Sequence, residues 1–327
     1  MNSAVAKSGH GEPMRAAKKF RDQPRTKEKT TVRNASIVYA MTALLVVATA
    51  AYAQRPPAGI TPEMINTTLP LEGAPLAVPG PYKVESGPAF GSVNHVVYRP
   101  SDLSAFPAKD KLPVMVWGNG GCAINSTRYG GFLSTIASHG FLVIATAGTP
   151  GATGERATAD HLRKAIDWAE AENKRDMSPL KGKIAVDRVA VMGQSCGGFL
   201  SLDLGADPRV DTIGVFNSGL QGNNTATLTA LHGPVLLING GDRDFLMASS
   251  KATFEAIQTQ PAFYGSRHGA GHTATVDHPG GGEWANVASN WLRWQLKGDK
   301  QAAKMFVGKD CSLCTNANWD TASKRLQ

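Results

Sequence analysis

The sequence has little net charge outside its first 36 residues. The formal net charge of the whole chain is +8. Residues 1–36 carry +6 of that charge, with nine lysines and arginines against three acidic residues, so the remainder is nearly neutral. A nucleic-acid-binding surface needs basic residues distributed over the folded part of the chain. The charge distribution therefore indicates that nucleic acid is not a partner.

Long hydrophobic runs are also scarce, and the one that stands out is Ile37–Ala53. It follows the basic leader and ends in Ala51-Tyr52-Ala53, a small-x-small pattern typical of signal-peptide cleavage. We interpret residues 1–53 as a basic leader and signal peptide, which predicts a secreted or periplasmic protein that starts near Gln54. An uncleaved membrane anchor and a translation start near residue 32 or 41 remain alternatives, since the run is at the lower limit of a span. Once the leader is cleaved, no stable membrane partner is expected.

Cysteine is scarce as well, with four residues in the chain. Cys311 and Cys314 have a spacing that fits a metal half-site, a redox pair or a short-range disulfide. A zinc site needs two further ligands, and a redox pair normally opens a helix near the start of a βαβ unit. We therefore expect a disulfide that fastens the C-terminal tail. Cys122 and Cys196 either pair or are buried free thiols, and the free thiols are favoured.

The composition changes after the leader. Residues 54–90 are rich in proline and glycine, which predicts an extended arm around a single domain that comprises residues 54–327. Short apolar runs then alternate with helical patterns, which predicts an α/β fold of three layers. Its central sheet is expected to be mostly parallel, with helices on both faces. The predicted strands are His95–Arg99, Val114–Trp117, Leu142–Ala145, Arg188–Met192, Thr212–Phe216, Val235–Asn239 and Ala262–Ser266, and the predicted helices are Thr158–Lys174, Ser249–Gln258 and Glu283–Leu296.

The most informative motif is Gly193-Gln194-Ser195-Cys196-Gly197, which follows a β-branched run and precedes small and apolar residues. This order is typical of a nucleophile elbow, in which a serine occupies a sharp strand-to-helix turn. Side chains at the two glycines would collide with the adjoining strand or helix. The turn would direct the backbone N–H of Cys196 toward a developing oxyanion. An ordinary glycine-rich turn is the alternative.

A nucleophilic serine needs a base and a group that orients the base, in the chain order serine, acid, histidine. Asp244 follows a predicted strand and is the favoured acid, with Asp242 as the rival. His272 follows the last predicted strand in Gly-x-Gly-His and is favoured over His268. The two histidines are four residues apart, but the glycines between them disfavour a helix and no acidic partner lies there, so no metal is expected.

A glycine-rich segment, Trp117–Cys122, follows the predicted strand Val114–Trp117. Glycines allow backbone N–H groups to face a reaction centre, and we expect Asn119 or Gly120 to supply the second oxyanion donor beside Cys196. Another glycine-rich segment, Gly148–Gly154, lacks the Gly-Lys-Ser/Thr of a phosphate loop. No cofactor is implied.

From Leu112 to Leu296 the sequence resembles the α/β-hydrolases, and within them the lidless dienelactone-hydrolase and bacterial cutinase or polyester-hydrolase group. The resemblance rests on Ala137–Ile144, on Val191–Ser195 and on Gly271-His272. It implies the α/β-hydrolase fold and the triad. Cys196 replaces the methionine that follows the nucleophile in that group, and Gly118–Gly121 replace an aromatic-bearing loop.

The same resemblance bears on access to the serine. Lids of α/β-hydrolases are commonly inserted after the strand that follows the elbow, where this chain has only Asn217–Pro234. No inserted lid domain is therefore expected.

Together these features predict a secreted serine carboxylic-ester hydrolase with Ser195 as nucleophile, Asp244 as acid and His272 as base. The expected substrate is a small-molecule or polymeric ester. The alternatives are an acyltransferase, a peptidase or a perhydrolase of the same fold. A catalytically silent relative that only binds a ligand or partner is a further alternative, although the intact order of serine, acid and histidine argues against it.

Overall fold

The computed structural model describes residues 59–65, 71–108, 110–148, 156–222 and 225–327. The predicted leader and signal peptide lie outside the described residues, as does most of the loop Gly148–Gly154. In the part of the chain that is described, no helix is long and apolar enough to cross a membrane.

A nine-stranded sheet forms the centre of the fold, in the order β1-β2-β4-β3-β5-β6-β7-β8-β9. Neighbouring strands from β4 to β8 in this order are parallel, while β1, β2 and β9 pair antiparallel. All seven predicted strands are confirmed, as is the mostly parallel sheet. The strands are β1 Val84–Pro88, β2 His95–Pro100, β3 Leu112–Gly118, β4 Leu142–Thr146, β5 Ile184–Gln194, β6 Val210–Phe216, β7 Val235–Gly240, β8 Ala262–Arg267 and β9 Trp319–Lys324.

Helices cover both faces of the sheet, as the apolar runs of the inner strands require. One apolar core lies between the sheet and α2 and α7, and the other lies between the sheet and α3, α4 and α6. The structure therefore has the α/β-hydrolase architecture that the sequence predicted. The helices are α1 Pro62–Ile65, α2 Gly130–Ser138, α3 Ala159–Lys174, α4 Cys196–Leu204, α5 Ala226–Thr229, α6 Met247–Ala256, α7 Gly282–Lys297 and α8 Lys300–Ala303.

Several elements were not predicted, among them the two edge strands and helix α2. Strands β1 and β9 lie at the two edges of the sheet, and most of their residues are at least partly exposed, so neither has an apolar run. Helix α2 begins with two glycines, which are poor helix formers, and it is stabilised by the burial of residues such as Phe132 and Ile136. The region between β6 and β7 agrees with the absence of an inserted lid, because only α5 is helical among its described residues.

The four cysteines form two disulfides. Cys311 pairs with Cys314, as expected for the tail. The expectation that Cys122 and Cys196 are free thiols is wrong, since they form the second disulfide. The segment after β3 turns back over the start of α4, which brings their Cα atoms to 5.1 Å, and this contact between distant segments was not readable from spacing.

The parallel strands also determine where functional side chains can meet. The carboxyl ends of the parallel strands β3, β5, β6, β7 and β8 lie side by side, so the residues that follow these strands are close together. The segments at these carboxyl ends carry Asn119, Ser195, Asn217, Asp244 and His272.

Candidate active site

Ser195 occupies the turn between β5 and α4. Its backbone has φ 54° and ψ −119°, a conformation that residues with a side chain rarely adopt. Two hydrogen bonds hold this turn: the Ser195 N–H donates to the Phe216 carbonyl at 2.9 Å, and Ser218 Oγ donates to the Ser195 carbonyl at 2.7 Å. The strained backbone directs the hydroxyl away from the sheet.

Glycine is required on both sides of the serine because backbone segments pass very close there. A Cβ on Gly193 would lie 2.3 Å from the backbone of Gly197. A Cβ on Gly197 would lie 2.0 Å from the carbonyl oxygen of Gly118 at the end of β3. The close approach packs α4 against β3 and β5, and it places the start of α4 beside the segment that follows β3.

The imidazole of His272 lies between Ser195 and Asp244. Its Nε2 is 2.8 Å from Ser195 Oγ, and its Nδ1 is 2.8 Å from Asp244 Oδ1. His272 is 6% exposed and Asp244 is 3% exposed. The ring of Phe245 packs on the imidazole with a centroid separation of 4.0 Å. The two hydrogen bonds and the packing fix the plane of the imidazole.

The Asp244 carboxylate is held by further donors. Oδ1 also accepts from the Leu246 N–H at 3.0 Å. Oδ2 accepts from Asn217 Nδ2 at 2.8 Å and from the Gly240 N–H at 3.1 Å. The rival acid, Asp242, is exposed at the surface. The structure therefore brings Asp244, and not Asp242, to the histidine.

Asn217 is a member of this site that the sequence reasoning missed. Its Oδ1 accepts from the indole N–H of Trp284 at 3.0 Å, so the amide has a fixed orientation and its Nδ2 is available to the Asp244 carboxylate. One signal for it was present in the sequence, because Asn217 directly follows β6, at the carboxyl end of the strand, where the other site residues also lie.

A buried chain of hydrogen bonds connects the segment after β3 to the histidine. The Gly120 N–H donates to Tyr129 Oη at 2.9 Å, and that hydroxyl donates to Gln194 Oε1 at 2.8 Å. Gln194 Nε2 in turn donates to the carbonyl of His272 at 2.9 Å. Burial raises the pKa of Tyr129, which keeps its hydroxyl protonated and able to donate.

The sequence offers three candidate oxyanion donors, the backbone N–H groups of Cys196, Asn119 and Gly120. The N–H of Gly120 is already occupied by Tyr129 Oη. Within the described segments, the N–H groups of Asn119 and Cys196 donate no hydrogen bond. Asn119 lies at the N-terminal end of the 3-10 turn Gly120–Cys122, and Cys196 is the first residue of α4, where backbone N–H groups lack partners inside the helix. Asn119 and Cys196, and not Gly120, therefore have N–H groups that remain open to a further acceptor.

The other histidine of the same segment lies apart from this arrangement. His268 is paired with Asp320 of β9, with Nε2 and Oδ2 3.0 Å apart. Across the residues that the structure describes, no group of three metal-ligating side chains is arranged to hold an ion.

The arrangement suits nucleophilic catalysis. A serine hydroxyl is hydrogen-bonded to a histidine that is oriented by a buried carboxylate, and two unpaired backbone N–H groups are available in the adjoining segments. Comparison with known proteins agrees with this chemistry. The model of the family described as PETase, PET hydrolase-like, matches residues 77–323. No curated protein matches the sequence.

Proposed function

Because the chain belongs to the PET hydrolase-like family of carboxylic ester hydrolases, we propose that it hydrolyses esters through an acyl-enzyme on Ser195. In this proposal His272 is the general base, Asp244 orients it, and the N–H groups of Cys196 and Asn119 stabilise the oxyanion. The observation that carries the proposal is the pair of 2.8 Å hydrogen bonds that His272 makes to Ser195 and Asp244.

The reaction begins when Ser195 Oγ attacks the ester carbonyl and His272 Nε2 takes the hydroxyl proton. The negative charge that develops on the carbonyl oxygen is stabilised by the two backbone N–H groups. His272 then gives the proton to the departing alcohol, which leaves the acyl group on Ser195. A water molecule, deprotonated by His272, attacks the acyl-enzyme and releases the acid.

Asp244 acts on the histidine and does not itself take the proton. Its carboxylate requires a proton on Nδ1 of His272, so that Nε2 is the nitrogen free to accept from Ser195. Asn217 and the Gly240 N–H fix the second carboxylate oxygen, so the acid cannot rotate away. Burial of the pair strengthens its interaction with the imidazolium that forms during the reaction.

The substrate class follows from the family and from the accessible serine. We propose a small-molecule or polymeric ester, cleaved outside the cytoplasm after removal of residues 1–53. Two disulfides support export, because disulfides persist in oxidising compartments.

Labelling with a fluorophosphonate tests the proposal directly. The probe should phosphonylate Ser195, identified by the mass of its peptide, and prior addition of a p-nitrophenyl ester should slow the labelling. Ser195→Ala should abolish both labelling and turnover, whereas Ser312→Ala, an exposed serine of the tail, should leave both unchanged. A folded wild-type protein that neither labels nor turns over esters would favour the silent binding protein.

The same assay separates hydrolysis from acyl transfer. With a fixed ester and increasing concentrations of an alcohol acceptor, a hydrolase should release mostly the free acid. An acyltransferase would form mainly the new ester while water remains in large excess.

A further inference from the structure

The Cys122–Cys196 disulfide lies between the two segments that carry the proposed oxyanion donors. Cys196 follows Ser195 directly and supplies one N–H from the start of α4. Cys122 ends the 3-10 turn that Asn119 begins. The disulfide links these segments across 74 residues of sequence. The disulfide therefore connects Cys196, one proposed donor, covalently to the turn that follows Asn119, the other proposed donor.

The turn has a backbone that relies on external support. Gly121 and Cys122 have φ values of 65° and 52°, both in the left-handed region. For Cys122 this conformation is strained, and the surrounding structure must stabilise it. The Ala157 N–H donates to the Cys122 carbonyl at 2.8 Å and provides one such support.

Asn119 itself is held by its side chain. Its Nδ2 donates to the carbonyl oxygen of Ala123 at 2.8 Å and to Thr146 of β4. Because of these bonds, loss of the disulfide should displace the turn without unfolding it. A displaced turn changes the spacing between the two donor N–H groups, and transition-state stabilisation depends on that spacing.

We propose that the Cys122–Cys196 disulfide positions the oxyanion hole, so that ester turnover depends on the oxidation state of this one disulfide. The inference rests on the proposed function. The two cysteines are positioning residues, because their sulfur atoms act through the backbone donors and not on the substrate.

The Cys122–Cys196 disulfide can be reduced by an external thiol. Cys122 is buried, but Cys196 is half-exposed, so an external thiolate has a sulfur to attack. A dithiol such as dithiothreitol attacks one sulfur, breaks the S–S bond and forms a mixed disulfide. Its second thiol then displaces the protein sulfur. The protein gains two thiols, and the dithiol is oxidised to its cyclic disulfide.

The chain provides a matched control in its tail. Cys311 and Cys314 also form a disulfide with a Cα separation of 5.1 Å, but they lie after α8 and outside the site. We would compare wild type, C122A/C196A and C311A/C314A, using a soluble p-nitrophenyl ester. The expected result is a fall in kcat of about tenfold or more for C122A/C196A, with a KM close to that of wild type. C311A/C314A should retain wild-type kcat and KM.

Inhibition by a transition-state mimic distinguishes a displaced oxyanion hole from a general loosening of the fold. An alkyl boronic acid forms a tetrahedral adduct with a reactive serine and directs an oxygen toward the oxyanion donors. Its inhibition constant should rise in C122A/C196A by about the factor by which kcat/KM falls, because both quantities report binding of a tetrahedral species. Fluorophosphonate labelling of Ser195, although slower, should persist in that variant.

Titration with dithiothreitol decides the matter if C122A/C196A does not fold. In C311A/C314A the only disulfide is Cys122–Cys196, so kcat should fall as that bond is reduced and recover on reoxidation while the far-ultraviolet circular dichroism is unchanged. Unchanged kcat and boronate inhibition after complete reduction, with Ser195 still labelled, would overturn this inference and leave the proposed function intact. If Ser195→Ala kept full activity, the proposed function itself would fail.

Discussion

The backbone N–H of His272 donates a 2.9 Å hydrogen bond to the carbonyl of Met64, which lies in the N-terminal arm. The next residue repeats this contact, with the Thr273 N–H donating to the Ile65 carbonyl at 2.9 Å. Residues 64 and 65 precede the region that the PET hydrolase-like family model matches, which begins at residue 77. The arm therefore supports the histidine segment from outside the region shared with the family.

Removal of this support should reduce turnover. A chain that begins at Leu71 retains a buried residue of the arm but lacks both acceptor carbonyls. We expect kcat to fall about ten- to hundredfold, because small displacements of a catalytic group are costly, while KM changes little. Kinetics should be compared with a chain that begins at Gln54, after circular dichroism has established that both are folded. Equal kcat values would mean that the arm does not position His272.

The two candidate acids should respond differently to the same substitution. Asp244→Asn removes the charge that stabilises the imidazolium and favours the wrong histidine tautomer, so kcat should fall by about 10⁴. Asp242→Asn is the matched control at an exposed position in the same turn, and its kcat should stay near wild type. Steady-state kinetics on one soluble ester suffice. The assignment of the acid would be reversed by a severe loss in Asp242→Asn with a mild one in Asp244→Asn.

Tyr129 should contribute to both stability and turnover. Tyr129→Phe leaves the Gly120 N–H and Gln194 Oε1 without the hydroxyl that now joins them, and we expect a loss of about 1–3 kcal/mol in the free energy of unfolding. Urea denaturation measures that loss, and kcat should fall with it because Gln194 also holds the His272 carbonyl. In Tyr82→Phe, where the ring packs on Phe106, kcat should be unchanged. A Tyr129→Phe variant with wild-type stability and kcat would show that this hydrogen-bond chain contributes neither to stability nor to turnover.

The sequence was sufficient to predict the inner strands and the serine, acid and histidine candidates. Strands β3, β4 and β7 are buried along their whole length and are largely apolar. Ser195 was marked by glycines that close packing requires, and Asp244 and His272 were marked by their positions after successive strands. These signals are local, so each could be recognised from a few neighbouring residues.

The remaining parts of the site depend on contacts between distant segments. The Tyr129–Gln194 bond joins residues 65 apart in the sequence, and the Asn217–Trp284 bond joins residues 67 apart. The Cys122–Cys196 disulfide spans 74 residues. No local pattern signals such pairs, and the edge strands β1 and β9 lack the apolar runs by which strands are recognised.

Lys297 should make stability depend on pH in the alkaline range. Burial lowers the pKa of its ammonium group to about 8 in the folded protein, against about 10.4 for an unperturbed lysine. Between these values the unfolded state binds a proton that the folded state lacks, so the free energy of unfolding rises with pH. Relative to Lys297→Met, wild type should gain about 2 kcal/mol between pH 7.5 and 9.5, measured by urea denaturation. A parallel pH dependence in the two proteins would contradict the lowered pKa.

The open approach to Ser195 predicts kinetics without interfacial activation. Of the described residues between β6 and β7, only the four-residue helix α5 is regular structure, so no helical lid is present there to move at an oil–water interface. A lidded lipase gains activity at such an interface because the interface stabilises its open state. Here the rate on a short-chain ester should rise smoothly through the solubility limit of the substrate.

The same openness should restrict the acyl chain. Phe245 packs on His272 and is only half-buried, so it offers one apolar surface beside the nucleophile. Each methylene that is fully buried contributes about 0.8 kcal/mol, and an open site buries few of them. Activity on p-nitrophenyl esters should therefore be highest for acyl chains of roughly two to six carbons. A steep increase in rate above the solubility limit, together with best activity on long-chain triglycerides, would contradict this prediction, because it would require a lid that closes over Ser195.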